Sequence, residues 1–384
     1  MTELPWPEAR ARAHQAAEPL PAIELPLREA LGRVLAGDLV ALADLPPFDA
    51  AAMDGYAVSG PGPWRVTQRI MAGGEPSAPL AKGQAAEVAT GSPLAPGTEC
   101  VLPYEDAERI DGLVYGELKP GLHVRRAGED YRAGTVLVPA GSPVSPVVLG
   151  LAASAGYDRM RVRPRPTVAA LVTGNELVDS GLPTGTRVRD AIGPMLPGLV
   201  SAFGGEMASV RQVSDNPAEL RDALAESAEQ AHVVVICGAS SAGPADYLRE
   251  VLAGLGGRPL ISSVACRPGH PQSLSLLPDG VPVVGLPGNP FAALVAVMTL
   301  LEPLLARLTG QPLAVLPRCR FEGYVRFDPH RTRLVPVMLG SEVARPAGHT
   351  RPGLLWGAAL ADALAAIPPA WDGHSPVPLL RLPR

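Results

Sequence analysis

Three short segments of this 384-residue chain carry residue types that can hold an anion on backbone and hydroxyl groups. The first is TGNEL, Thr173 to Leu177, in which Gly174 directly follows an apolar run. The second is CGASSAG, Cys237 to Gly243. There Gly238 and Gly243 permit close backbone approach, and Ser240 and Ser241 add hydroxyl donors. The third is GLPGNP, Gly285 to Pro290, containing Pro287 and Gly288. Its Asn289 suits a helix N-cap and Pro290 the first helical position. That helix end is therefore predicted to present free N–H groups and the positive end of its dipole to an anion. Taken singly, each segment reads more readily as an ordinary strand-to-helix turn; three on one sheet edge predict an anion pocket. CGASSAG lacks the Lys-Ser/Thr of a P-loop and the spacing of a dinucleotide fingerprint. Two further segments stand out. In PPFDAAAMDGYAV, Pro46 to Val58, the Asp54-Gly55 pair is a hairpin-turn signal. In RRAGEDYRAG, Arg125 and Arg126 stand beside Glu129 and Asp130, which reads as a solvated charged loop.

Loops of the first kind belong at the carboxyl ends of strands, where helix N-termini converge. Residues 164–310 supply that frame. TVAALVTG, HVVVICG and VPVVGL read as buried strands. MLPGLVSAFGG, AELRDALAESAEQA, ADYLREVLAGLGG and FAALVAVMTLLEPLLARLTG read as helices. The alternation predicts a parallel sheet covered by helices on both faces, a three-layer α/β/α domain. Residues 1–45 read as helical, chiefly on the spacing of LPLREALGRVLAGDLVA. Residues 46–132, with runs such as AEVAT and ECVLPYED, read as a β lobe inserted into a first domain made of 1–45 and 133–163. Residues 311–384 read as a small C-terminal β domain.

The bulk numbers exclude several classes. Net charge is −5, which leaves no basic footprint for nucleic acid. The 41 glycines and 44 prolines are spread along the chain and imply many loops rather than disorder. No two of Cys100, Cys237, Cys266 and Cys319 form a CxxC pair, so each reads as a small buried hydrophobe. The N-terminus has no apolar signal region. The apolar run Phe291 to Leu301, closed by Glu302 and Pro303, is too short to span a bilayer. A soluble cytoplasmic protein without membrane or nucleic-acid partners is expected.

Taken together the segments resemble one family. PPFDAAAMDGYAV is similar to PPFDNSAMDGYA, the signature of the MoeA and gephyrin E-domain family, the molybdopterin molybdenumtransferases. ATGSPLAPGTECVLPYED, RRAGED, TGNEL, VRDAIGPML, VSDNP and GLPGNP follow in the family's order. The resemblance implies Mg²⁺-dependent insertion of molybdate into adenylylated molybdopterin, giving molybdenum cofactor and AMP. It implies a homodimer, with each active site between the sheet domain of one subunit and the β lobe of the other, and contact with other proteins of cofactor biosynthesis. Carried over by position, the implied catalytic residues are Asp54, Asp130, Glu176 and Asp246. Asp54, Glu176, Asp215 and Asp246 would bind the metal, and Thr90, Thr173, Gly174, Asp190 and Asp215 the cofactor. Carboxylates beside an anionic substrate make sense with a screening cation, and Mg²⁺ takes oxygen ligands of this kind.

The sequence departs from the family mainly at the implied pocket. KPGKP becomes RPGHP, so Arg267 keeps a charge suited to oxyanions while His270 replaces a permanent cation. SGGVSVG becomes CGASSAG, with Ala239 for a glycine, and DSN becomes Asp190-Ala191-Ile192. Pro194 and Pro197 predict a later start for the next helix. These changes motivate a second reading, a catalytically impaired paralogue that binds or delivers the pterin; a third, a docking scaffold, gains little support from a soluble chain.

Overall fold

The protein is described from a computed structural model that covers residues 3–238, 247–326 and 328–383. The chain divides into two compact units. The larger comprises Met1–Ile23, Gly32–Ala36 and Val162–Arg384; the smaller comprises Glu24–Leu31 and Gly37–Arg161.

In the larger unit, α1 (Trp6–His14) precedes the sheet domain. That domain runs β1 (Thr167–Thr173), α2 (Leu196–Ala202), β2 (Glu206–Val213), α3 (Pro217–Gln230), β3 (Val233–Cys237), α4 (Leu248–Gly254), β4 (Arg258–Ile261), β5 (Ser273–Leu276), β6 (Pro282–Leu286) and α5 (Pro290–Leu308). The strand order is β2-β1-β3-β6-β5-β4. The first four strands are parallel, and β5 and β4 are antiparallel additions. The sheet is thus mixed where the alternation predicted an all-parallel one. The short β4-to-β5 connection contains no helix, and a parallel crossover needs one. β1 is buried on both faces because successive side chains serve different layers. Val168, Ala170 and Val172 pack with Phe291, Leu294 and Leu301 of α5, whereas Leu171 packs with Leu220 and Leu224 of α3 and Leu248 of α4.

α5 is the central core helix. It runs through Glu302 and Pro303, where the sequence reading had ended the apolar run. Its 19 residues have a mean hydropathy of 1.8, enough to cross a membrane by length and composition, but 89% of that window is buried inside the protein. The helix tolerates Pro303 through a π turn over Val297–Leu301, in which the Glu302 N–H reaches the carbonyl of Val297. In that register the Met298 carbonyl would receive its bond from residue 303, and proline has no N–H. Arg10 of α1 donates to that carbonyl instead. The same guanidinium meets Glu302 Oε2 at 2.7 Å and lies 5.7 Å over the Trp6 ring. Trp6 Nε1 donates to Thr299 Oγ1 at 3.0 Å, fixing the second side of the π turn.

Five strands of the C-terminal segment close on themselves. Thr332–Leu339 is bonded to both Val343–Pro346 and Ala363–Ile367, and Arg318–Phe321 and Val377–Arg381 complete the circuit. Val264–Arg267 joins this sheet in parallel, with Cys266 opposite Thr332 and Arg267 opposite Arg333.

The smaller unit contains a six-stranded sheet in the order 108–110, 113–115, 64–70, 84–88, 55–59, 100–103. Gly55–Ser59 pairs on both edges and is buried throughout. The helical reading of residues 1–45 is corrected beyond α1, over residues 15–45. Only Leu27–Ala30 is helical, and the chain breaks at Gly32, whose φ is +71°. Val34 and Leu35 then pair with Arg163 and Val162. That long-range strand pairing overrides the local periodicity. Pro146–Ser154 supplies a further helix, capped by Ser145.

Candidate functional site

A cleft of about 660 Å³ opens at the carboxyl ends of β1, β3 and β6 in the larger unit. Thr173, Gly174, Glu176, Asp190, Asp215, Gly238, Pro287, Gly288 and Asn289 all line it, so nine residues named from the sequence come together. Its floor is glycine. Gly238 has φ +100°, and a Cβ there would stand 2.6 Å from the Thr173 carbonyl oxygen. A Cβ on Gly174 would meet both Glu176 carboxylate oxygens, at 2.9 and 3.0 Å. The Thr173 hydroxyl donates to the Cys237 carbonyl at 3.0 Å, tying β1 to β3 beneath the cleft. Burial, with the Asp190 charge adding to it, pushes the Cys237 thiol up, so it stays protonated.

The carboxylates have distinct surroundings. Asp215 and Asn175 lock their loops together: Asp215 Oδ2 accepts from the Asn175 N–H at 2.9 Å, and the Asp215 N–H donates to Asn175 Oδ1 at 3.2 Å. Asp190 Oδ1 accepts from the Ile192 and Gly193 amides at 2.9 and 3.0 Å and so builds the turn it stands in. Glu176 makes no side-chain hydrogen bond among the described residues. Glu176 and Asp215 are therefore the oxygen donors the cleft offers a hard cation. Among the described residues there is no group of three or more His, Cys, Asp or Glu able to hold a metal ion.

The helix end of α5 differs from its expected role. Asn289 takes the N-cap position and Pro290 the first helical one, as the sequence predicted. The amides are not free, however: the Phe291 and Ala292 N–H groups both donate to the Pro352 carbonyl, at 2.9 and 3.2 Å. The Asn289 side chain makes no capping bond and stays available to the cleft. No local signal marks this arrangement, because the capping carbonyl lies in the C-terminal segment.

Arg267 and His270 do not line the main cleft. Arg267 borders a separate cavity of about 200 Å³ with Pro268, Arg333, Thr350, Arg351 and Pro352. Burial, then the neighbouring Arg267, pushes the Arg333 guanidinium down. Arg267 has one acidic neighbour among the described residues, Asp328, at 3.7 Å. His270 is exposed as a residue, yet partial desolvation of its ring, followed by the charge of Arg331, holds its pKa below the ordinary value. The cavity and the cleft share two loops: Pro268 borders the first and Pro271 the second, as do Pro352 and Gly353.

The remaining named residues lie in the smaller unit or outside the described residues. Asp54 precedes the strand Gly55–Ser59 of the lobe, which pairs with 84–88 and 100–103, and does not sit in a hairpin turn as read from its Asp-Gly pair. A Cβ on Gly55 would stand 1.9 Å from the Leu102 carbonyl oxygen, so glycine is required by packing. Asp54 Oδ1 accepts from the Thr90 N–H and hydroxyl at 2.6 and 3.0 Å, which holds its carboxyl below the usual range. Asp130 is ion-paired with Arg125. Asp49, not singled out from the sequence, joins the two lobe motifs by accepting from Arg126 and from the Ala127 N–H. Ser240, Ser241, Gly243 and Asp246 lie outside the described residues. The sequence reading also missed Arg189, Arg333, Arg351 and Gly353. Arg189 stands directly before a residue that was named, whereas the other three become neighbours only through the closed C-terminal sheet.

Residues 169–307 match the family model described as a probable molybdopterin binding domain. Residues 4–156 match the MoeA N-terminal region, domains I and II, and residues 318–374 match the MoeA C-terminal region, domain IV. The chain is 34% identical to molybdopterin molybdenumtransferase 2 of Mycobacterium tuberculosis over 308 residues, 76% of each chain. It is 27% identical to the molybdopterin molybdenumtransferase of Staphylococcus epidermidis over 367 residues, 90% of this chain and 87% of that one. A molybdopterin biosynthesis MoeA protein of Pyrococcus horikosii has the same fold, with a TM-score of 0.83 at 28% identity over 99% of both chains. The chain belongs to the MoeA family of molybdopterin molybdenumtransferases, transferases of molybdenum cofactor biosynthesis.

Proposed function

We propose that this protein inserts molybdate into adenylylated molybdopterin in a Mg²⁺-dependent reaction that releases AMP. The observation that carries the reading is the cleft. Its glycine floor lets a flat, anionic ligand approach the backbone, and Glu176 and Asp215 supply hard oxygen donors beside it. Mg²⁺ bound there would neutralise phosphate oxygens and polarise the phosphorus–oxygen bond that breaks. The chain's own part is positioning. Thr173 and Gly238 shape the floor, the Asn289 amide is free to hydrogen-bond a ligand, and no protein nucleophile is needed. Molybdate, as substrate, suits the small cavity of Arg267, Arg333 and Arg351, where a dianion relieves the repulsion between neighbouring guanidinium groups. Because that cavity shares the 267–271 and 350–353 loops with the cleft, an oxyanion held there would be a short step from a bound dithiolene. Asp54, held ionised by Thr90, and Asp130 belong to the same reading as lobe residues of the catalytic machinery, with Asp246 as a further metal ligand. A homodimer and a cytoplasmic location are also part of it; family membership supports the first, and the burial of α5 is compatible with the second.

The test is molybdenum insertion by the purified protein with adenylylated molybdopterin, molybdate and Mg²⁺. AMP release that depends on molybdate, together with reconstitution of an apo-molybdoenzyme, is expected. Pterin binding without either product would replace this reading with that of a pterin-carrying paralogue, for which the change of DSN to Asp190-Ala191-Ile192 speaks.

A further inference from the structure

The end of α5, the expected anion site, is occupied by the Pro352 carbonyl. The cleft must meet a phosphate with something else. Of the charged side chains that line it, Glu176, Asp190 and Asp215 are carboxylates and Arg189 is the one cation among the described residues. Three carboxylates around an anion repel it unless positive charge is brought in. Arg187, two residues earlier, is committed to the Asn175 carbonyl at 2.6 Å. Arg189 ends the short strand Val188–Arg189 that walls the cleft, is exposed, and makes no hydrogen bond or ion pair among the described residues. A guanidinium so placed has its full donor fork free, and that fork matches two phosphate oxygens at once.

We infer that Arg189 is a specificity-determining residue of the cleft, gripping a phosphate of the pterin ligand and selecting phosphorylated over dephosphorylated pterin; this rests on the proposed function. Its neighbour explains why the position is fixed. Asp190 is tied to the Ile192 and Gly193 amides, and its own N–H bonds the Val178 carbonyl at 3.0 Å, so the backbone at 189 cannot swing away. Arg189 therefore grips from a rigid strand end, which limits the ordering cost of binding.

The experiment is a fluorescence titration of the full-length protein with molybdopterin and with the same pterin after phosphatase treatment. Arg189→Ala should weaken binding of the phosphorylated pterin about tenfold, and Arg189→Glu more than that. Arg189→Lys should fall between wild type and Arg189→Ala, because it keeps charge but loses the fork. Dephosphorylated pterin should bind wild type and Arg189→Ala alike. The thermal midpoint should not move, since the side chain makes no hydrogen bond or ion pair among the described residues. In the insertion assay KM should rise with kcat within about twofold, the pattern of lost uniform binding. Equal affinity of wild type and Arg189→Ala for phosphorylated pterin overturns the assignment while leaving the proposed function standing. No pterin binding by the wild type removes the proposed function itself, and the assignment with it.

Discussion

Arg10 offers the sharpest test of how the core of the sheet domain is held. Its side chain is 4% exposed and satisfies two groups on α5 that the sequence leaves in need of a partner, the Met298 carbonyl and the Glu302 carboxylate. Arg10→Met preserves bulk and removes both bonds. An orphaned buried carbonyl costs about 1–3 kcal/mol. Breaking a buried ion pair from one side costs about 3–5 kcal/mol. The Glu302 side chain is 17% exposed and can recruit water, so its share falls toward the low end. The combined loss should be about 3–5 kcal/mol, a fall in thermal midpoint on the order of 10 °C. Differential scanning calorimetry reads it directly. The double variant Arg10→Met/Glu302→Leu separates the two parts. Removing the stranded carboxylate should restore the ion-pair share, leaving the carbonyl share of about 1–3 kcal/mol. A single-variant loss below about 1 kcal/mol would refute the claim that the π turn leaves Met298 dependent on Arg10.

Other outcomes follow from the site geometry. Gly238→Ala puts a methyl 2.6 Å from the Thr173 carbonyl at a φ of +100°, so it should cost about 1–3 kcal/mol in urea unfolding and abolish pterin binding. Thr90→Val removes one of the two donors that hold Asp54 low. A depressed carboxyl loses its contribution as pH falls through its folded pKa, so the acid limb of AMP release should shift upward in pH, short of the whole distance because the Thr90 N–H remains. His270 has its folded pKa lowered, so the unfolded chain takes up the proton first and stability falls on acidification. His270→Gln should flatten the stability profile between about pH 7 and 5. His270→Lys adds a permanent cation near Arg267 and should tighten molybdate binding about two- to fivefold in direct titration, the equivalent of about 0.5–1 kcal/mol for an exposed charge; no gain would count against His270 acting on the oxyanion.

What could be read from the sequence was local. The strands β1, β3 and β6 are largely apolar runs, β1 and β3 ended by a glycine and β6 by Pro287-Gly288, and such a run has few alternatives to a doubly buried strand. Their loops were recognisable because Gly and Pro dictate backbone rather than pairing. The helix start at Leu196 was legible for the same reason: Pro194 cannot lie inside a helix, while Pro197 fits the first turn. What was not legible depended on partners distant in the chain. The helical periodicity of LPLREALGRVLAGDLVA, on which residues 1–45 were read as helical, gave way to pairing of Val34 and Leu35 with the strand at 162–163. Arg10 and Met298 are 288 residues apart. The Pro352 carbonyl caps a helix that begins 62 residues before it, and Arg333 reaches Arg267 through strand register alone.

The departures from the family pattern acquire a different weight once their positions are known. Loss of two polar side chains at Ala191 and Ile192 suggested a damaged pocket. Ile192 is 5% exposed and packs in the main core with Leu196 and Val200, so its side chain serves the fold. The turn does not need the lost groups, because Asp190 bonds the backbone amides of Ile192 and Gly193, which any residue supplies. It does need Gly193: a Cβ there would stand 2.3 Å from Asp190 Oδ2. The substitutions therefore spare the contacts that set the position of Asp190 and, through it, of Arg189. An impaired paralogue would be expected to relax those positions first. Their retention favours a cleft still under demand to bind its ligand, and Gly193→Ala tests this: it should displace Asp190 and weaken phosphorylated-pterin binding as Arg189→Ala does, even though residue 193 itself offers the ligand no charge.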